Sequence, residues 1–255
     1  MNNTLEGIAY VVRGFVSRPF SIDLRAGETV ALFGPIVGHA TPLFHALAGS
    51  DRGEIGGARV VAHQVTGTTP NVALVSPDAH RSADSARRGQ ERLVEAAATR
   101  PDVLLIDGLF DHDDVTIVAE HWTTLDAARD RGIVVLATTL AESAFRCDRV
   151  VLSEWSADDL RSEIVRIQAL VRLLVGELLE TLSAGSPTQG AVTAARVKRL
   201  AAAARSLVGE LWRQAGTQDE VILAKRFATE VAAEALSDRV LDALIAGGSP
   251  DVGGV

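Results

Sequence analysis

Between Ala26 and Gly49 the chain passes from a short apolar run, through two glycines, into a second apolar pattern at helical spacing. Thr29 to Phe33 reads as a buried strand, Gly34 and Gly38 as a turn, and Leu43 to Leu47 as the start of a helix. Strand, glycine turn and helix in that order form the frame of a phosphate-binding loop. They commit this part of the chain to an α/β arrangement.

The chemistry of that loop is altered. A working loop, G-x-x-x-x-G-K-[ST], wraps phosphates in backbone N–H groups, holds the terminal phosphates with Lys and puts a Ser/Thr hydroxyl on Mg²⁺. Here Gly34 and Gly38 are one residue too close, and His39 stands in the lysine position. Imidazole is shorter than lysine and mostly neutral at pH 7. Ala40 has no hydroxyl for a metal, whereas Thr41 offers one if the loop shifts register by a residue. In isolation Gly34 and Gly38 also suit an ordinary strand-to-helix turn.

Further residues follow in a telling order. Ala86-Arg87-Arg88-Gly89-Gln90-Glu91-Arg92 precedes an apolar run from Leu93 to Arg100, and Pro101-Asp102 leads into Val103-Leu104-Leu105-Ile106-Asp107. Gly132 to Leu140 and Cys147-Asp148-Arg149-Val150-Val151-Leu152 read as two more strands. From about Ile8 to Leu152 the chain resembles the nucleotide-binding domain of ATP-binding cassette (ABC) ATPases. Gly89 and Gln90 resemble the remnant of that family's L-S-G-G-Q signature, and Asp107 its Mg²⁺-associated aspartate at the end of the Walker B strand.

The resemblance implies a reduced P-loop NTPase domain of three layers with a mixed or mainly parallel sheet. It also shows what is missing. Gly108 stands where the family's catalytic glutamate belongs, and Thr138 where its switch histidine belongs. Val72 to Pro77 resembles the strand into the Q-loop, with Pro77 in the glutamine region, and the signature remnant follows almost at once. The helical subdomain expected between them, which meets the membrane subunit in transporters, is nearly absent. Tyr10 lies near the family's adenine-stacking aromatic but suits a strand core as well.

Residues that act as a unit in catalysis lose orders of magnitude when one is removed. With lysine, metal-ligand serine, glutamate and histidine all replaced, little remains to accelerate phosphoryl transfer. The reading is a non-catalytic pseudo-ATPase, a regulatory or scaffold subunit that associates with itself or with an active ABC ATPase or membrane complex. No catalytic residue and no firm cofactor is assigned. ATP and Mg²⁺ would bind with weakened affinity at Gly34, Gly38, His39, Ala40 and Thr41, with Gly89 and Gln90 as a signature remnant. Thr41 and Asp107 would take the metal. The alternative is a slow ATPase or nucleotide-gated switch that borrows a carboxylate from Asp111, Asp113 or Asp114. An ABC domain that powers an exporter ranks below both.

The 33 acidic against 25 basic residues give a formal net charge of −8, without the basic footprint of a nucleic-acid binder. Arg81, Arg87, Arg88 and Arg92 form one local basic group, read as a solvated helix start. Cys147 is the single cysteine, so no disulfide framework exists and a reducing cytoplasm is expected. No stretch has the length of a membrane span, so any membrane association would be peripheral and through a partner. Abundant Ala, Val, Arg, Asp and Gly with almost no Lys suggest a high-GC bacterial source.

Residues 1–154 are therefore read as the degenerate ABC-like domain, 155–246 as an all-α bundle of about three helices, and 247–255 as a flexible tail. Ser156 with Asp158 and Asp159 caps the first helix, whose apolar residues run from Leu160 to Leu182. Ser183 to Gly190 reads as a loop, a second helix runs to Gly216, and a third starts at Thr217 and reaches Leu244. The apolar face of the first helix is rich enough to exceed what two neighbours cover, and two readings stand side by side: a partner interface, or a bundle that packs back onto the ABC-like domain and is sealed. The balanced charges of its polar face do not suit a membrane surface.

Overall fold

The structure is a computed structural model that describes residues 5–13, 20–24, 27–35, 41, 44, 45, 48, 54–55, 58–64, 71–76, 83–111, 115–129, 132–152, 155–234 (without 153–154) and 236–247. The chain divides into two compact units, Met1–Glu154 and Trp155–Val255.

In the first unit β1 (Leu5–Arg13), β2 (Phe20–Leu24), β4 (Glu54–Ile55) and β5 (Ala58–Gln64) form an antiparallel sheet in the order β2-β1-β5-β4. The second sheet holds β3 (Thr29–Phe33), β6 (Val72–Val75), β7 (Val103–Asp107), β8 (Ile133–Thr138) and β9 (Arg149–Leu152) in the order β6-β7-β8-β3-β9. All its pairings are parallel. Every residue of β3, β7 and β8 is buried, as expected for central strands of a parallel sheet read as unbroken apolar runs.

Among the described residues of this unit, the helices are α1 (Ala83–Ala98), α2 (Val115–Arg129) and the single turn α3 (Ala141–Ala144). Thr41, Phe44 and His45 are helical as well. α1 begins ten residues before Leu93 and runs straight through the signature remnant. β8 lies between β3 and β7, so the loop strand and the strand ending in Asp107 are not neighbours. Phe33 pairs with Thr138 and Asp107 with Ala137, which levels the carboxyl ends of all three strands.

The second unit has four helices where three were expected: α4 (Ala157–Ser183), α5 (Pro187–Gln214), α6 (Gln218–Glu234) and α7 (Asp238–Ile245). The third expected helix is broken because Ser237 caps a new one, its hydroxyl accepting from the Val240 N–H at 3.4 Å. The loop before α5 is also shorter than read, since Pro187 opens the helix, where its missing N–H costs nothing. Ser156 and Asp159 form a reciprocal capping box at the start of α4.

α5 packs against α4, α6 and α7, and α4 also meets α6. Its buried Ala194, Ala201, Ala203 and Ala204 let three neighbours come close. Gly247 follows α7 with φ 75°, and residues 248–255 of the expected tail lie outside the described residues. Among the described residues no helix is long and apolar enough to cross a membrane.

Candidate functional site

Open parallel sheets bind ligands beyond the carboxyl ends of their strands. Here that edge gathers Gly34 after β3, Asp107 and Gly108 at the end of β7, and Thr138 and Thr139 at the end of β8. Gly38, His39 and Ala40 lie outside the described residues, as do Pro77, Arg81, Asp113 and Asp114. The Gly34 N–H donates to the Thr138 carbonyl at 3.4 Å, so the loop leaves the sheet still tied to β8.

Thr41 is brought to Asp107. Its hydroxyl donates to Asp107 Oδ2 in a short contact. This is the pairing that the sequence allowed only with a shift of register in the loop. Asp107 is buried, and burial is the main cause that raises its pKa. The Asp111 charge adds to the rise, while the Thr41 hydrogen bond and nearby His45 oppose it. A hydroxyl and a carboxylate are hard oxygen donors of the kind Mg²⁺ takes together with phosphate and water. The pair fits one side of such a site. No cluster of three or more His, Cys, Asp or Glu residues able to hold a metal occurs among the described residues.

Backbone geometry disfavours a carboxylate residue at the position after Asp107. Gly108 has φ 63°, in the left-handed region that glycine enters without cost, and its N–H donates to the Ala137 carbonyl at 3.0 Å. The turn goes on with Asp111 N–H donating to the Gly108 carbonyl at 3.2 Å. Beneath it, buried Phe110 lies 4.7 Å from the Trp122 ring and 5.6 Å, edge-on, from His121, both on α2. Arg146 stacks 4.4 Å over Trp122 and bonds Asp126 at 3.2 Å.

Asp111 is occupied. Its Oδ1 accepts from the Thr138 hydroxyl at 2.5 Å and the Thr139 N–H at 2.9 Å, and its Oδ2 from the same N–H at 3.1 Å and the Thr139 hydroxyl at 3.0 Å. Thr138 Oγ1 in turn accepts from the Leu140 N–H at 3.1 Å. The carboxylate is a clamp on the end of β8, and three donors making four contacts leave it little room to serve as a base. Sequence reasoning missed this clamp. The signal present was a pair of adjacent hydroxyl residues at a strand end, Thr138 and Thr139, where the resemblance led one to look for a histidine.

The signature remnant also faces inward. Gly89 is buried, and a Cβ there would come 2.4 Å from Leu109 Cδ1, so the glycine lets α1 approach the turn after β7. Gln90 Nε2 donates to Thr124 Oγ1 on α2 at 2.8 Å. Both residues sit beyond the first turn of α1, where backbone N–H groups are spent on the helix and cannot reach a phosphate. The structure thus brings Thr41 and Asp107 together and holds Gly89 and Gln90 in packing with α2 and the turn.

No protein-family model and no curated protein matches this chain. Among solved structures it is similar to an ATP-binding subunit of an ABC transporter, at 14% identity and a TM-score of 0.44, over 62% of this chain and 92% of that one. It is also similar to CbiO1 from Clostridium perfringens, part of the ABC transporter complex CbiONQ, at 14% identity and a TM-score of 0.39, over 60% and 86%.

Proposed function

We propose that the first unit is a degenerate ABC-type nucleotide-binding domain that does not hydrolyse ATP, and that the chain is a regulatory or scaffold subunit. It associates with itself or with an active ABC ATPase or membrane complex. The observation that carries this reading is the turn after Asp107. Gly108 adopts a backbone conformation that disfavours a glutamate, and the next carboxylate, Asp111, has its oxygens taken by Thr138 and Thr139. An attacking water would find neither a glutamate after Asp107 nor an Asp111 carboxylate that is not already held by Thr138 and Thr139.

Loss of hydrolysis and loss of binding are separate matters. The contact between Thr41 and Asp107 favours retained, weak affinity for Mg-nucleotide, since backbone N–H groups at a helix start hold anions without a lysine. That contact is the one feature in favour of a nucleotide-gated switch. Turnover by an Asp111 base is not favoured.

Calorimetric titration with Mg-ATP, run beside a phosphate-release assay, separates these readings. The expected result is no phosphate release above background, together with weak binding that Thr41→Val diminishes and His39→Lys strengthens. Multiple turnovers abolished by Asp107→Asn would overturn the pseudo-ATPase reading.

A further inference from the structure

Helix α4 has two apolar faces. One, from Leu160 through Ile164, Ile167, Val171, Leu174 and Leu178, is buried within the helical unit. The other leaves Leu173 at 68% exposure, Leu179 at 59% and Val165 at 54%. Ala169 and Gly176, also exposed, fall between them at the centre of that outer face. A Cβ on Gly176 would meet nothing within 4 Å, so the fold of one chain gives no reason for a glycine there. In mid-helix it costs about 1 kcal/mol relative to alanine. A glycine in the middle of an exposed apolar face suits the close approach of another helix.

The outer face is self-complementary. Arg166 and Glu180 lie seven residues before and after Leu173, which puts all three on one ridge of the helix. Val165 and Leu179 are centred on Arg172, and Ala169 and Gly176 on the step between Arg172 and Leu173. Three pairs of matching chemistry, a charge pair, an apolar pair and a small pair, thus share one centre to within a residue. A two-fold axis there, perpendicular to two antiparallel helices, sets residue i against j and j against i. Leu173 meets its own copy, Arg166 meets Glu180, Ala169 meets Gly176 and Val165 meets Leu179. Arg172 lies between Val165 and Leu179 on the flank away from Leu173 and comes beside its own copy at the axis, so its stem covers the apolar pair while the two guanidinium groups extend outward to water.

We infer that the outer face of α4 binds a second copy of this chain, helix against antiparallel helix, about a two-fold axis at Arg172 and Leu173. This supplies a surface for the self-association in the proposed function but stands on α4 alone, and it does not depend on whether nucleotide binds. The contact is isologous, is made by the helical unit and uses none of the residues at the strand ends of the first unit. It therefore differs from a dimer formed by pairing phosphate loops with signature segments.

Sedimentation equilibrium on the full chain, over a range of concentrations, tests it. The wild type is expected to dimerise. Leu173→Glu, which sets two carboxylates face to face at the axis, is expected to weaken the dimer by about a hundredfold or more while the helical circular dichroism is unchanged. Arg166 also holds Glu163 of its own helix at 2.7 Å, so the charge test starts from the other side: Glu180→Arg weakens the dimer by roughly tenfold through two like-charge contacts, and the double exchange Glu180→Arg with Arg166→Glu restores it. Restoration identifies the antiparallel register, which a general loss of apolar surface would not. A chain that stays monomeric at every concentration overturns the proposal and leaves this face to another partner. So does a dimer as tight in Leu173→Glu as in the wild type. A failed calorimetric titration with Mg-ATP affects neither result.

Discussion

The carboxyl edge of the parallel sheet and the outer face of α4 treat their side chains in opposite ways. At the sheet edge, where ligands normally meet protein, polar groups are turned on one another: Thr41 on Asp107, Thr138 and Thr139 on Asp111. On α4, far from any motif, apolar side chains stand uncovered. Polar groups bonded to one another within the chain have less to offer a ligand, whereas uncovered apolar area retains its driving force for association. The comparison locates residual chemistry at one contact and residual binding capacity on one helix.

The strongest way to break this contrast is to remove the clamp. Asp111→Ala takes the acceptor from two hydroxyls and a backbone N–H at a buried strand end. It is expected to destabilise the first unit by about 3–5 kcal/mol, the range for a buried charged partner deleted from its network. Trp122 is the single tryptophan of that unit, the others being Trp155 and Trp212, so its fluorescence during urea unfolding reports the loss. If Asp111→Ala unfolded like the wild type and instead bound Mg-ATP more tightly, the carboxylate would be an occluding group and not a clamp.

A smaller effect is expected from an attempt to restore catalysis. Gly108→Glu places a carboxylate directly after Asp107, in a left-handed conformation that costs an L-residue about 1–2 kcal/mol. The variant should lose that much stability and gain no ATPase activity. Phosphate release by Gly108→Glu alone would mean that the rest of the site is competent.

Much of this was legible in the chain and some was not, for identifiable reasons. Central strands of a parallel sheet announce themselves, so Thr29–Phe33, Val103–Asp107 and Ile133–Thr138 could be placed from their apolar runs. Ser156 and Asp159 signal a helix start from four consecutive residues. The break before Asp238 was hidden, because Val231, Leu236, Val240 and Leu244 continue an apolar pattern across Ser237. The Asp111 clamp was hidden because its partners lie 27 and 28 residues on and meet it only through the order β7-β8. Likewise Gly89 looks like a ligand-binding glycine in sequence, while its contact with Leu109 appears only when α1 is seated on the turn.

Two helical glycines sharpen the contrast at about 1 kcal/mol. Gly89→Ala gains helix propensity but forces a methyl onto Leu109, so the first unit should lose roughly 1 kcal/mol net. Gly176→Ala meets open space and should stabilise the helical unit of an isolated chain by roughly the same amount. Thermal unfolding at low concentration, followed at Trp122 and by helical circular dichroism, gives both signs. Two destabilised variants would show that Gly176 is already in contact with something.

The smallest effects concern acid, and they differ in sign between the units. The pKa of Asp107 is raised chiefly by burial, so its contribution to stability is present below the ordinary carboxylate range and is lost as pH rises through its own pKa. Asp107→Asn should therefore raise the melting temperature of the first unit at neutral pH and leave it nearly unchanged in acid. Glu220 is the opposite case: it accepts the Gly216 and Thr217 N–H groups at 2.8 and 3.0 Å, and these bonds lower its pKa. Its contribution at the start of α6 is present above the ordinary glutamate range and is lost as pH falls through the lowered value. Glu220→Gln should weaken the helical unit slightly at neutral pH and make no difference at low pH. A shared sign for the two variants would mean that Asp107 is ionised without penalty, held by a cation that the Thr41 contact would then be poised to share.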